Sequence, residues 1–148
     1  INLYDSTGKD MAWVEAIIKA YQPDIVVLDM GDKFSSKTSD KSDVYLKEAA
    51  IHARNIAKQH DCAVIWMSQL SAVAEGKVYV DQSMMEGSKT GKAAEADLMI
   101  LISKNPQVEG ADEQDTQRHL NIAKNKLKGG WHGVVHCELD GERSQYQA

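Results

Sequence analysis

The chain has 148 residues, of which 43% are hydrophobic and 26% are charged, as is usual for a soluble globular protein. This length suits one domain or a large piece of one. The net charge of −5 argues against a surface coated with basic residues for nucleic acid, so any such contact must be local. The sequence has no stretch of the roughly 18 apolar residues that a membrane span needs, and its start does not resemble a signal peptide. It therefore predicts a cytoplasmic protein without a membrane partner.

The first elements alternate between strand and helix patterns. Residues 1–4 predict a short strand, and Asp10 is placed to cap the helix that follows. Pro23 ends this helix, and the run 24–29 predicts a buried parallel strand, because four consecutive apolar residues stand between two acids. The apolar face of the predicted helix consists of Trp13, Val14, Ile17, Ile18 and Tyr21.

Asp29 closes this strand, and Asp32 follows three residues later. The carboxyl ends of parallel strands form the edge where α/β proteins bind ligands. A carboxylate there suits phosphate-bound Mg²⁺, which prefers oxygen ligands, and the run has the Walker B pattern of nucleotide hydrolases.

The usual partner of that pattern, G-x-x-x-x-G-K-[ST], is absent. The pairs Gly8-Lys9, Gly76-Lys77 and Gly91-Lys92 lack both the earlier glycine and the following Ser or Thr. The chain therefore looks like the second half of a nucleotide-hydrolysing core.

Further along, helix and strand patterns continue to alternate. A helix is predicted over 44–60 and buried strands over 62–68 and 98–102. The polar segment 31–43 reads as a loop, and 71–92 has weak periodicity, which is typical of a functional or mobile loop.

The end of the chain has a hairpin signature. After an acidic linker over 105–117, strands are predicted over 118–125 and 133–139, and an Asp140-Gly141 turn leads to a last strand near 144–147. The expected fold class is α/β, with a mainly parallel sheet flanked by helices and a carboxyl-terminal antiparallel hairpin.

Three more side chains suit phosphate chemistry. Gln69 ends the strand 62–68, where its amide can hydrogen-bond a terminal phosphate and report its loss to the following loop. Lys124 and Lys126 place two cations on one strand face, about 7 Å apart, and such cations stabilise phosphoryl transfer. Paired lysines on an edge strand also protect against aggregation, so both interpretations stay open on this motif alone.

Four motifs taken in order are more specific than any one of them. The runs 25–29, 64–70, 95–100 and 123–126 resemble the carboxyl-terminal RecA-like ATPase domain of DnaB-type replicative helicases. The likeness is greatest to the helicase half of bacteriophage primase-helicases, which the opening Leu3-Tyr4-Asp5-Ser6 also fits. It covers nearly the whole chain, which would be the later portion of a single RecA-like domain.

This resemblance implies an ATP-dependent DNA helicase that uses ATP and Mg²⁺ and translocates along single-stranded DNA. The intact protein would form a homo-oligomeric ring, expected to be a hexamer, in a bacterial or phage-infected cell. Asp29 would be the magnesium-site carboxylate and Gln69 the γ-phosphate sensor. Lys124 and Lys126 would reach the ATP bound by the adjacent subunit.

The resemblance also matches segments 31–43 and 71–92 to loops that face DNA in a central channel. Each segment carries three lysines and three acids, so contact with DNA would depend on placement and backbone amides more than on a basic field. The balancing acids are Asp32, Asp40, Asp43, Glu75, Asp81 and Glu86. Lys92 is the third lysine of segment 71–92. The candidate DNA-binding residues are Lys33, Lys37, Lys41, Lys77 and Lys89.

The chain departs from the family in two ways. Lys126 stands where the family carries an arginine finger, and lysine keeps the charge but lacks the bidentate fork. The phosphate loop and the catalytic glutamate would both lie before Ile1, so we expect this chain alone not to bind ATP in the family manner. Two alternatives remain: a RecA-like recombinase or other ATPase, and a non-enzymatic assembly module that kept the fold without the phosphate loop.

Overall fold

A computed structural model of the chain describes residues 1–34, 42–87, 89–104 and 116–147. The predicted DNA-binding residues Lys37 and Lys41 lie outside these ranges, and only the backbone of Lys89 is described. The chain divides into two compact units: residues 1–69 with 90–95, and residues 70–89 with 96–148. No described helix is both long enough and apolar enough to cross a membrane.

The first unit packs helices on a two-stranded parallel sheet. Its strands pair in register, with Ile25 opposite Ala63 and Leu28 opposite Trp66. In chain order its elements are α1 (Met11–Tyr21), β1 (Ile25–Leu28), α2 (Ser42–Gln59), β2 (Ala63–Trp66) and α3 (Lys89–Glu95), whose first residue is grouped with the second unit.

Helix α1 begins where the sequence predicts. The Asp10 carboxylate accepts a hydrogen bond from the Trp13 N–H at 3.0 Å, which satisfies one of the free amides of the first turn. At the other end, Gln22 adopts a left-handed conformation, and its N–H donates to the Ile18 carbonyl at 2.8 Å. Tyr21, predicted on the apolar face, is exposed.

The core of the first unit lies between the helices and the sheet. The inward face of α2 consists mainly of alanines, which let the helix pack closely, and its Ile56 is completely buried. The buried members are Met11, Val14, Ile18, Leu28, Phe34, Ala49, Ala53, Ile56 and Cys62.

Only one face of this sheet is covered by the described residues. Leu28 is buried, whereas Ile25, Val27 and Ile65 are 61%, 55% and 49% exposed. The prediction that both strands are buried on both faces is therefore wrong for this structure. Apolar side chains on alternate positions of each strand remain in contact with solvent.

The second unit is built on a four-stranded antiparallel sheet in the order β3-β4-β5-β6. In β3, Met99 and Leu101 are buried, while Leu98, Ile100 and Ile102 are exposed. The strands are β3 (Leu98–Lys104), β4 (Gln117–Asn125), β5 (Gly133–Asp140) and β6 (Gln145–Gln147).

The sheet topology differs in part from the prediction. The α/β class and the carboxyl-terminal antiparallel strands are found, but the only parallel pair among the described strands is β1 with β2. β3, expected in the parallel sheet, pairs antiparallel with β4. An apolar run indicates burial and not strand direction, so its partner could not be read from the sequence.

Two smaller expectations also change. Residues 1–4 form no strand, although their apolar character favoured one. Segment 71–92 is partly packed: Val80 and Met85 are buried, and the Asn121 side chain donates to the Val80 carbonyl at 2.6 Å. Within that segment, the Ser71 N–H and hydroxyl both donate to the Met84 carbonyl.

Candidate functional site

Asp29 and Gln69 lie beyond the carboxyl ends of adjacent parallel strands. The ladder continues past β1 and β2, because the Met67 N–H donates to the Leu28 carbonyl at 3.1 Å. The Gly31 N–H then donates back to the Met67 carbonyl at 3.0 Å. The backbone thus brings the two predicted side chains to the same edge of the sheet, and both are exposed.

A cavity of about 450 Å³ opens beside Asp29. Gln69 is not among the residues that line it in the described part of the chain. The cavity is lined by Tyr4, Asp5, Ser6, Thr7, Gly8, Asp29, Met30 and Lys33.

The loop on one side of this cavity holds a second carboxylate. The Thr7 hydroxyl and N–H donate to Asp5 Oδ1 at 2.7 and 2.9 Å. These hydrogen bonds, that of the Thr7 hydroxyl first, lower the pKa of Asp5 and favour its charged form. The cavity therefore combines two acids, three hydroxyls and the Lys33 ammonium.

This set of side chains fits a magnesium–nucleotide complex better than a protein-made metal cage. No group of three or more His, Cys, Asp or Glu side chains among the described residues could hold a metal ion. Mg²⁺ needs no such group, because it binds through one or two carboxylates and takes its other ligands from water and phosphate. Asp29 and Asp5 could supply the carboxylates.

Asp32, three residues beyond Asp29, has a different environment. Its carboxylate accepts hydrogen bonds from the Trp66 indole at 3.0 Å, from the Ser68 hydroxyl and from Lys92. The Lys92 ammonium lies 3.0 Å from both carboxylate oxygens and 2.7 Å from the Ser68 hydroxyl. Asp32 therefore neutralises a cation of its own chain.

Sequence reasoning missed this role of Lys92. It counted Lys92 among the charges of a DNA-facing loop, but the side chain is only 5% exposed. Its partner Asp32 lies 60 residues earlier in the chain, so no local sequence pattern indicates the pair. The nearest signal was the small-residue run Ala93-Ala94, since Ala93 is also buried.

The second unit carries the other two predicted phosphate-binding residues. Lys124 is part of β4, half-buried and paired with Met99 of β3. Lys126 is the first residue after the strand and is exposed, and its N–H donates to the Asp97 carbonyl at 2.7 Å. The loop that follows is fixed by Asn125, whose side chain accepts from the Leu127 N–H and donates to the Trp131 carbonyl.

The two predicted DNA-binding lysines with described side chains are both exposed. Lys33 lines the cavity beside Asp29, and Lys77 follows the turn at Gly76. Lys33 belongs to the first unit and Lys77 to the second.

Comparisons with known proteins identify the fold. No protein-family model matches the sequence, and no curated protein matches it. Among solved structures, 55 chains match. A DnaB-like replicative helicase, solved in a study of its interactions with primase, superposes with a TM-score of 0.83 at 20% identity. The match covers 99% of this chain and 37% of that one.

A second solved structure, an ATPase domain, gives the same TM-score of 0.83 and 20% identity, over 99% of this chain and 54% of that domain. The chain thus spans about a third to a half of the structures that it matches. The resemblance to DnaB-type replicative helicases is confirmed at the level of the fold: this chain folds like part of a replicative-helicase ATPase domain.

Proposed function

We propose that the chain is the carboxyl-terminal portion of a RecA-like ATPase domain in a ring-forming DNA helicase. The observation that carries this proposal is the sheet edge where Asp29 and Gln69 meet, in a fold that superposes on helicase ATPase domains over 99% of the chain. The intact protein acts in the cytoplasm, uses ATP and Mg²⁺, and moves along single-stranded DNA.

The proposed roles follow from the chemistry of each side chain. Asp29 binds the Mg²⁺ that accompanies ATP, since its carboxylate is exposed at the edge of a 450 Å³ cavity. Gln69 contacts the γ-phosphate and changes position when that phosphate leaves. Lys124 and Lys126 contribute positive charge to the ATP of a neighbouring subunit, where charge develops during phosphoryl transfer.

DNA contact is assigned to the loops that carry Lys33, Lys77 and Lys89. The exposed ammonium groups of Lys33 and Lys77 support this assignment, since phosphate contacts need accessible cations. Lys37 and Lys41 are assigned to DNA contact from the sequence alone, because they lie outside the described residues.

The exposed apolar strand face supports the proposal that a further segment completes the domain. Ile25, Val27 and Ile65 line one face of a parallel sheet, and parallel sheets are normally covered on both faces. A phosphate-loop segment of the same polypeptide would cover such a face and supply the amides that cradle phosphate.

The decisive experiment uses the intact polypeptide encoded with this chain. We expect a phosphate loop about one βαβ unit before Ile1, and ATPase activity that single-stranded DNA stimulates. Asp29→Asn should abolish hydrolysis with little loss of fold, because the change keeps the shape and removes the metal-directed charge. Near-normal turnover would leave Asp29 a purely structural residue.

Gln69→Ala provides a second test of the same edge. The variant should still bind nucleotide but lose the stimulation of hydrolysis by DNA, because the contact that reports the phosphate is missing. A coding sequence with a start codon shortly before Ile1 and no phosphate loop would favour the assembly module instead.

A further inference from the structure

The side chain of Lys92 forms a buried ion pair at the edge where Asp29 and Gln69 lie. Its ammonium is 3.0 Å from both oxygens of Asp32, and the two side chains are 5% and 15% exposed. It also donates to the Ser68 hydroxyl at 2.7 Å. A lysine withdrawn from water to this extent is stable only where its charge is matched, and Asp32 provides the match.

The ion pair connects three segments that are far apart in the chain. Asp32 belongs to the turn after β1, Ser68 follows β2, and Lys92 lies within α3. The two turns are already in close contact, because a Cβ atom at Gly31 would overlap the indole ring of Trp66. That same indole donates to Asp32, so the turns and the helix share one hydrogen-bonded network.

The network is adjacent in sequence to both residues of the proposed ATP site. Asp29 precedes Asp32 by three residues, and Gln69 directly follows Ser68. Asp29 and Gln69 are themselves exposed, as is Ser68, whereas the side chains of Lys92 and Asp32 are only 5% and 15% exposed. A change in the Lys92 contacts would therefore displace the segments that carry Asp29 and Gln69 together.

Helix α3 is also held at its far end. The Arg54 guanidinium donates to the Glu95 carbonyl and lies 3.8 Å from the Glu95 carboxylate. This second attachment joins α3 to α2 and involves neither Asp32 nor Ser68. Lys92 thus contacts the sheet edge, and Glu95 contacts α2.

We propose that Lys92 is a positioning residue that locks the Asp29 and Gln69 segments together and couples them to α3. The inference rests on the proposed function for its catalytic consequence. When Gln69 responds to the terminal phosphate, Ser68 moves with it, and Lys92 transmits that movement to α3. Because α3 contains the last residues of the segment 71–92 that is assigned to DNA, the ion pair is a physical connection between phosphate and DNA contacts.

The test uses a variant that removes the connection without leaving a buried charge. Lys92→Met alone would leave Asp32 uncompensated and could unfold the protein, so it is combined with Asp32→Asn. The amide oxygen introduced by Asp32→Asn can still accept from the Trp66 indole, and its NH₂ group can donate to the Ser68 hydroxyl. Lys92→Arg keeps the charge, and Arg54→Met, which releases only the other end of α3, is the matched control.

In the intact protein, the double variant should lose about 10- to 100-fold in DNA-stimulated kcat while the KM for ATP is unchanged. Lys92→Arg should recover part of this loss, and Arg54→Met should keep the wild-type kcat. A purely structural ion pair predicts that the charge-balanced double variant hydrolyses ATP normally, and that result would overturn the proposal.

Hydrogen exchange of the same variants separates this inference from the proposed function. The Gly31 amide, which donates to Met67 across the two turns, should exchange faster in the double variant and normally in Arg54→Met. Unchanged protection at Gly31 would overturn the locking role even if hydrolysis were impaired. A wild-type protein without ATPase activity would refute the proposed function, whereas the exchange result would still decide whether Lys92 locks the edge.

Discussion

The two units of the chain hold their functional residues in different ways. In the first, the contacts around Asp32 join residues that are 34, 36 and 60 positions apart. In the second, β4 and β5 are joined by the short loop 126–132, and the cross-strand pair His119 and His136 is separated by 17 positions. The first arrangement depends on packing between distant segments, and the second on an antiparallel ladder in which the consecutive strands β4 and β5 form a hairpin beside β3.

This difference has an energetic consequence. A site held by remote segments is lost when any one of them shifts, since a buried pair with one member removed is strongly destabilising. A hairpin keeps its register through its turn and its ladder, so exposed residues beside it can change with little effect on folding. We therefore expect stability and activity to be coupled at Asp32 and separable at Lys126.

The largest expected effect tests whether activity can be lost at Lys126 without a loss of stability. Lys126→Ala in the intact protein should lower turnover on the order of 10³-fold if its ammonium acts on the ATP of the neighbouring subunit. Ring assembly and nucleotide affinity should stay nearly intact, because the side chain is exposed beyond the end of β4. Steady-state ATPase assays with DNA present measure the loss.

Subunit mixing sharpens this prediction. Rings that combine Lys126→Ala with Asp29→Asn subunits contain some interfaces with both residues intact, so mixing should restore part of the activity. Lys124→Ala is the internal control on the same strand. Normal hydrolysis by both single variants would mean that the lysines are solvated edge residues and that the role in trans is wrong.

The difference between local and remote contacts also explains what the sequence could predict. The cap at Asp10 and the turn at Asp140 are local signals, and the structure confirms both the helix and the hairpin that they specify. The partner of β3 and the partner of Lys92 depend on segments that only the folded chain brings together. A strand over residues 1–4 was wrong for a similar reason, since an apolar run forms a strand only beside another strand.

The candidate site shows the same contrast between local signals and contacts of remote segments. Asp29 and Gln69 could be predicted to lie at the same sheet edge because parallel strands align their carboxyl ends. The only assumption was that the two strands are neighbours, and they are. That Asp32 is neutralised internally, whereas Asp29 is exposed beside the cavity, could not be predicted. That distinction between Asp29 and Asp32 rests on Lys92, whose burial has no sequence signature.

A core substitution tests the remote packing of the first unit. Ile56→Ala should lower the free energy of unfolding by about 2–5 kcal/mol, because the side chain is completely buried and its removal leaves a cavity. Ile65→Ala, measured in the same 148-residue chain, is the matched control on the exposed face, with an expected change within about 0.5 kcal/mol. Urea denaturation of both variants gives the two values, and equal losses would show that the outer sheet face is covered in solution.

A smaller effect is expected where α1 begins. Asp10→Ala should cost about 1 kcal/mol of stability, since the Trp13 N–H loses its acceptor. Asp10→Asn keeps an oxygen at that position and should retain most of the stability. If Asn and Ala were equally destabilising, the carboxylate charge and not the hydrogen bond would be the important factor.

The smallest effect concerns the pH dependence of the contact between α1 and α2. The Glu15 carboxylate lies 2.7 Å from the Lys19 ammonium and 3.0 Å from His52 Nε2. Hydrogen bonds from Lys19 and then from His52 lower the pKa of Glu15 from 4.5 to about 2. Because the pKa is lower in the folded chain, the stabilisation from ionised Glu15 is fully present above pH 4.5 and is lost as the pH falls through about 2.

Glu15→Gln should therefore lose stability less steeply than the wild type over this pH interval, as measured by urea titrations at a series of pH values. The substitution removes the titrating carboxylate, so protonation can no longer weaken its contacts with Lys19 and His52. Added salt should reduce the difference between the two proteins, since the pair is accessible to solvent. Parallel pH profiles for the two proteins would show that the unfolded chain perturbs Glu15 equally.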